Sequence, residues 1–129
     1  MLWYIAAGSA LGGVSRYLLG GWMQQLTNTT FPIGTLTVNV VGSFLLGLLI
    51  RYTAGTTAVS PEMRGMLTIG FCGGFTTFST FSLETVSLLE SGDLRRAAWY
   101  ATLSVLVALA AMVLGIASAH SILDMRRGG

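Results

Sequence analysis

The sequence predicts an all-α membrane protein in which residues 1–129 form a single domain of four transmembrane helices. Hydrophobic residues make up 53% of the chain and charged residues only 9%, whereas a soluble domain carries about 25% charged residues. Long uncharged stretches, such as 17–50 and 97–123, separate the charged residues. A transmembrane helix needs about 20 mainly apolar residues, so these stretches are long enough to cross a bilayer.

Composition also excludes several classes of protein. A chain this apolar is neither a soluble enzyme nor a disordered tail. Nucleic-acid binding is excluded because seven arginines, with no lysine, against five acidic residues give a net charge of only +2, too little for a phosphate-binding patch. The single cysteine, Cys72, can form neither a disulfide within the chain nor a zinc site.

The helix boundaries follow from the polar interruptions. The polar segment 24–30, closed by Pro32, divides the first long apolar run into two. The first apolar segment is not expected to be a signal peptide, because it lacks a basic start and Arg16 falls where the apolar core should continue. Four helices are therefore expected, over residues 3–23, 33–53, 61–90 and 94–123.

The arginines give almost no signal for a single orientation in the membrane. With four spans, both chain ends and the loop after the second helix share one side, which holds Arg51, Arg64, Arg126 and Arg127. The other side holds Arg95 and Arg96, together with Arg16 if its side chain reaches that way. Orientation follows the excess of Lys and Arg in cytoplasmic loops. With four arginines on one side and three on the other, the chain could have one weakly fixed orientation or insert in both orientations.

Four helices make a thin protein, which favours assembly of more than one copy. A single copy cannot easily enclose a polar pathway. Small residues at four-residue spacing let helices approach closely, and they occur in three of the predicted helices: Gly8 with Gly12, Ser43 with Gly47, and Ala111 with Gly115 and Ala119. These stripes are expected to mark helix contacts.

Polar residues inside the predicted helices are the candidate functional groups. Thr35, Asn39 and Ser43 lie along one face of the second helix, where they serve either hydrogen bonds between helices or a polar path. Arg16 is the one basic residue well inside a helix, and it is either functional or extended toward a lipid headgroup. Glu84 in the third helix is either a proton-coupling carboxylate or a residue of an aqueous vestibule.

The third helix is expected to break at Gly73 to Thr76. Two adjacent glycines and a cluster of hydroxyl residues follow one another there, and glycine costs about 1 kcal/mol in a helix interior. Irregular backbone at membrane depth is tolerated only where protein or a water-filled cavity surrounds it. The carbonyl groups of such a break can bind a cation.

Two rings follow the predicted break, Phe78 and Phe81, with Thr77 and Thr80 beside them. The edge of a phenyl ring carries partial positive charge. Two ring edges with hydroxyl donors could therefore line a narrow path for a small anion. A kinked helix with its rings packed in lipid or in the core would explain the same residues.

Two motifs give the chain a family resemblance. Residues 73–82 read Gly-Gly-Phe-Thr-Thr-Phe-Ser-Thr-Phe-Ser, and residues 34–42 read Gly-Thr-Leu-Thr-Val-Asn-Val-Val-Gly. They resemble the third-helix signature and the second-helix motif of the Fluc (CrcB-type) fluoride channel family. The likeness extends over nearly the whole chain, including its length and its four-helix layout.

The resemblance implies an antiparallel homodimer whose two subunits insert in opposite orientations, a dual topology that agrees with the small arginine difference. It implies a channel and not an enzyme, located in the bacterial inner or plasma membrane, with two pores through which fluoride leaves the cytoplasm passively. It also implies a structural sodium ion (Na+) at the dimer interface, held by the backbone carbonyls of Gly73 and Thr76 from both subunits.

The resemblance further assigns Phe78, Phe81 and Asn39 to the fluoride pore. It assigns Thr80 and Ser104 to a polar track of that pore, and Arg16 and Glu84 to the vestibules. Fluoride is small and strongly hydrated, so an amide, hydroxyls and ring edges would have to replace its water. Conduction also requires binding that is weak enough for release.

Two other functions stay open on the residues alone. A small proton-coupled multidrug exporter has a similar size, but it needs a carboxylate deep in the membrane, and Glu84 near a helix end is the only candidate. A membrane assembly subunit that transports nothing would explain the stripes of small residues. It would not explain the hydroxyl groups clustered around Phe78 and Phe81.

Overall fold

The computed structural model describes all residues from Met1 to Gly129, and they form helices without any strand. The elements, in chain order, are α1 (Leu2–Thr27), α2 (Ile33–Ala54), α3 (Pro61–Gly65), a π-helical segment (Met66–Cys72), α4 (Gly73–Phe75), α5 (Phe78–Glu90) and α6 (Leu94–Gly128). The predicted all-α class is confirmed. The predicted third helix corresponds to everything from α3 to α5, which we call the third span.

Three of these segments are long and apolar enough to cross a membrane: Ile33–Ala54, Pro61–Glu90 and Leu94–Gly128. They match the second, third and fourth predicted helices, and the last is five residues longer than expected. The first helix, α1, has 26 residues but is not among the three. Its role as a fourth span stays a prediction.

Local sequence explains where the helices begin. Pro61 occupies the first turn of α3, where a missing N–H costs nothing, and the Ser60 hydroxyl accepts a hydrogen bond from the Met63 N–H at 3.2 Å. Asp93 caps α6 by accepting from the Arg96 N–H at 3.0 Å. The turn before it uses Gly92 at a φ of +82°, a conformation open mainly to glycine.

The small-residue stripes lie at contacts within the chain. A Cβ added to Gly8 would lie 2.2 Å from the Met66 carbonyl oxygen, and one added to Gly12 would lie 2.2 Å from that of Phe71. Between α2 and α6, a Cβ on Gly115 would lie 2.1 Å from the Phe44 carbonyl oxygen. The stripes do mark helix contacts, as expected, but these contacts join α1 to the third span and α2 to α6 in one copy.

The backbone leaves the helix at Thr76 and Thr77, which are extended with φ/ψ of −85°/156° and −149°/114°. Of the segment predicted to unwind, Gly73 to Thr76, only Thr76 does so. Gly74 serves another purpose, because a Cβ there would lie 2.6 Å from the Ser9 carbonyl oxygen of α1. It lets two helix backbones touch, and the helix continues through Phe75.

Candidate functional site

A groove of about 380 Å³ opens beside the break, between α2, α5 and α6. Its lining combines apolar side chains with a small set of polar and aromatic residues: Asn39, Ser43, Thr76, Thr77, Phe78, Phe81 and Ser104. No residue of the lining carries a formal charge. The groove is therefore a neutral surface with a few hydrogen-bonding groups, which is a common composition for a small-ligand site.

Side chains from two neighbouring helices hold the extended residues of the break. The Asn39 side chain of α2 accepts from the Thr77 N–H at 2.7 Å through Oδ1 and donates to the Thr77 carbonyl at 3.1 Å through Nδ2. Arg16 of α1 donates from Nη1 to the Thr76 carbonyl oxygen at 3.4 Å. The break thus gains the partners that a regular helix would have supplied.

The start of α5 carries a cluster of hydroxyl groups. The Thr77 hydroxyl accepts from the Thr80 N–H at 3.2 Å and so caps the helix. The same hydroxyl donates to the Thr80 hydroxyl at 3.0 Å and lies 3.4 Å from that of Ser79. Thr80 itself is not part of the groove lining, so it reaches the groove only through Thr77.

A row of aromatic rings runs along the site. The centroids of Phe78 and Phe81 are 5.4 Å apart, those of Phe81 and Tyr100 are 5.3 Å apart, and Phe31 meets Tyr100 edge-on at 5.6 Å. Tyr100 is fully buried, whereas Phe78 is 78% exposed in the single chain. From the buried Tyr100 the row therefore leads through Phe81 to an open surface at Phe78.

Glu84 lies at the core end of this aromatic row. Its carboxylate accepts from the Thr35 hydroxyl of α2 at 2.5 Å and from the Tyr100 hydroxyl of α6 at 3.4 Å. The carboxylate thereby links α2, α5 and α6. It is not part of the groove lining.

Ser104 on α6 is the one buried side chain whose polar atom has no hydrogen-bond partner. It is only 8% exposed, and it lines the groove opposite the break. Buried polar atoms are normally satisfied, so an orphaned hydroxyl calls for an explanation such as a bound ion or water.

The structure brings together five of the residues predicted for the site: Asn39, Phe78, Phe81, Ser104 and Thr76. It places Thr80, Glu84, Arg16 and Gly73 around the groove and not in it. Sequence reasoning gave Thr77 only a minor place and did not pair Thr35 with Glu84. The position of Thr77, three residues before another Thr at the start of a helix, was an available capping signal.

Residues 3–116 match a family described as CrcB-like protein, Camphor Resistance (CrcB). The chain belongs to the CrcB-like family. This confirms the resemblance stated from the two motifs. The matched residues include every element from α1 to the groove-lining part of α6.

Relatives of the chain are named "Fluoride-specific ion channel FluC". The one from Geobacter metallireducens is 53% identical over 116 residues, which cover 90% of this chain and 94% of the relative. The relative from Geotalea daltonii is 49% identical, and the match covers 92% of this chain and 96% of the relative. The relative from Agrobacterium fabrum is 50% identical, and the match covers 88% of this chain and 90% of the relative. Together with the three apolar helices, these matches make the chain a multi-pass membrane protein of a channel family, not an enzyme.

Proposed function

We propose that the chain forms a fluoride-selective channel through which cytoplasmic fluoride leaves the cell passively. The observation that carries the proposal is the neutral groove, where the rings of Phe78 and Phe81 meet an amide and the orphaned Ser104 hydroxyl. A fixed cation would hold a small anion too tightly, whereas neutral donors replace its water and still release it. The names of the relatives support the choice of fluoride.

We propose further that two copies pair in antiparallel orientation and form two pores. The groove is open along one side, and Phe78 at its edge is largely exposed in one chain. A second copy laid over this surface would enclose the path. The near balance of arginines supports insertion in both orientations.

Carbonyl oxygens of the break are proposed as the ligands of the structural sodium ion. In a continuous helix the Gly73 carbonyl would accept from the Thr77 N–H, but that N–H donates to Asn39 instead. A Cβ on Gly73 would meet nothing within 4 Å, so its surroundings are open. The Thr76 carbonyl bonds Arg16 and keeps a second lone pair. These oxygens suit a hard monovalent cation, whose charge would ease the approach of anions.

Flux from reconstituted vesicles tests the proposed function. Purified protein should release fluoride down its gradient, without a proton gradient, and much faster than chloride. Chloride leaving at the same rate would contradict a fluoride-selective pore. Flux that requires a proton gradient would favour an exporter that uses Glu84, and the absence of any ion flux would favour an assembly subunit.

Reporters on the C-terminus test the proposed assembly. The unmodified chain should place them on both sides of the membrane, and two lysines added near Met1 or near Arg95 should shift the distribution in opposite directions. A reporter found on one side only would contradict dual topology. Replacing sodium on both sides with a large organic cation should lower fluoride flux if the ion exchanges.

A further inference from the structure

The peptide of Thr77 lies at the turning point of the third span. Because Thr76 and Thr77 are extended, the N–H of Thr77 has left the helical ladder. A peptide at membrane depth needs a partner for each polar group. The partner must also leave Phe78, the next residue, free to project toward the groove.

One side chain satisfies both polar groups of this residue. Asn39 accepts from the Thr77 N–H at 2.7 Å and donates to the Thr77 carbonyl at 3.1 Å. The two bonds reproduce the two-point pairing of neighbouring β-strands, with a carboxamide in place of the second strand. Among residues of similar size only asparagine combines an acceptor and a donor in this arrangement. Ionised aspartate offers acceptors alone, and the single oxygen of a hydroxyl side chain cannot reach the N–H and the carbonyl of one residue at the same time.

The amide is correspondingly limited in what else it can do. Its nitrogen has two N–H donors, and one of them is used by the Thr77 carbonyl. One N–H remains for the groove. The same bonds that occupy the amide also fix its position, because Oδ1 and Nδ2 are held at different ends of one residue.

We infer that Asn39 is a positioning residue that holds the Thr77 residue extended and so sets the direction in which Phe78 leaves the break. This role rests on the proposed function only in its effect on flux. It differs from direct contact with the ion, since it acts through the backbone. We call the two bonds between Asn39 and Thr77 the clamp. Because the Thr77 hydroxyl caps α5, the clamp also fixes where α5 begins.

Two measurements on Asn39→Ala test the inference. Deuterium exchange in peptides covering 76–80 should rise about tenfold, since a lost partner exposes the Thr77 amide, while exchange in α1 and α6 stays unchanged. Fluoride flux should fall about tenfold, and the unfolding temperature should fall because two backbone groups at membrane depth lose their partner. Thr37→Ala is the matched control, because the Thr37 hydroxyl bonds only within α2, to the Ile33 carbonyl at 2.7 Å.

Asn39→Asp separates the two halves of the clamp. It keeps an acceptor for the Thr77 N–H but cannot donate to the carbonyl, so exchange should stay closer to wild type while flux still falls. If Asn39→Ala does not fold, Asn39→Asp decides the question, because it must then show exchange above that of the wild type together with reduced flux. The inference would be overturned by a variant of Asn39 that has lost the bond to the Thr77 carbonyl and still shows wild-type exchange at 76–78 and wild-type flux. The exchange result stands even if the wild-type protein carries no fluoride, which would contradict only the proposed function.

Discussion

The contact between α1 and the third span differs in kind from the break at Thr76 and Thr77, which follows it along the chain. In the contact, a glycine on one helix faces the backbone of the other, so the backbones of α1 and of the π-helical segment touch directly. At the break, side chains from α1 and α2 reach in and bond the backbone. The first arrangement holds the two helices at a fixed separation, and the second holds an irregular peptide.

This difference separates stability from function in one span. Direct backbone contact tolerates no added atom, so a substitution there should act on folding. The break and its groove contain an exposed ring, Phe78, and a buried hydroxyl without a hydrogen-bond partner, that of Ser104. Substitutions there should act on transport and leave folding largely intact.

The largest effect is expected from Gly12→Val in the glycine contact. A Cβ at this position would lie 2.2 Å from the Phe71 carbonyl oxygen and 3.0 Å from the Phe75 nitrogen, and neither backbone atom can move aside. Overpacking of this kind costs about 3 kcal/mol or more. The yield of folded protein in detergent measures it. Gly13→Ala is the control, because nothing lies within 4 Å of its added Cβ, and equal loss in both would contradict the backbone-contact argument.

The second prediction concerns the aromatic row. Phe78→Ile should lower fluoride flux about tenfold, since an aliphatic side chain has no positive ring edge, while the folding of each subunit is little affected because Phe78 is 78% exposed in the single chain. Phe81→Ile should lower flux and stability together, since it also loses the contact with Tyr100. Wild-type flux in both variants would show that the rings serve packing alone.

These two predictions also show what the sequence could provide. Apolar runs and polar interruptions were enough to locate the helices, and four-residue spacing was enough to find the small-residue stripes. The partners of those stripes were not predictable, because they depend on which helices pack together. The predicted break began too early for the same reason. Gly74 contacts α1 and Gly73 faces open space, while Asn39 holds Thr77 extended from another helix.

The groove shows a similar division. The rings, Asn39 and Ser104 were identified from two motifs and a family resemblance, and the structure brings them to one surface. The hydrogen bonds from Thr35 and Tyr100 to Glu84 join positions far apart in sequence, and no local pattern announces them. The π-helical segment Met66–Cys72 was not predicted either, since no feature of its composition marks the widened turns.

The third prediction uses the orphaned hydroxyl. Ser104→Ala removes a polar atom that has no partner within the chain, so the protein should be as stable as the wild type or slightly more stable. If the hydroxyl serves a passing anion, fluoride flux should fall several-fold, about threefold to tenfold. Thermal unfolding and flux on the same preparation measure both. Lower stability with unchanged flux would mean that the hydroxyl has a structural partner, such as a buried water.

The smallest effect is expected from Thr35→Val, which keeps the shape of the side chain and removes its hydroxyl. Glu84 would lose its bond of 2.5 Å and keep the one from Tyr100 at 3.4 Å, so α2 would no longer be tied to α5 at this point. One hydrogen bond to a charged group contributes about 2 kcal/mol, and the second donor limits the loss. We expect a modest fall in unfolding temperature and, because Glu84 lies outside the groove lining, a flux change of about twofold. Thr37→Val, whose hydroxyl bonds only within α2, is the matched control. A tenfold loss of flux in Thr35→Val, but not in Thr37→Val, would contradict this expectation. It would mean that Glu84 belongs to the conduction path and does not merely stabilise the border of the groove.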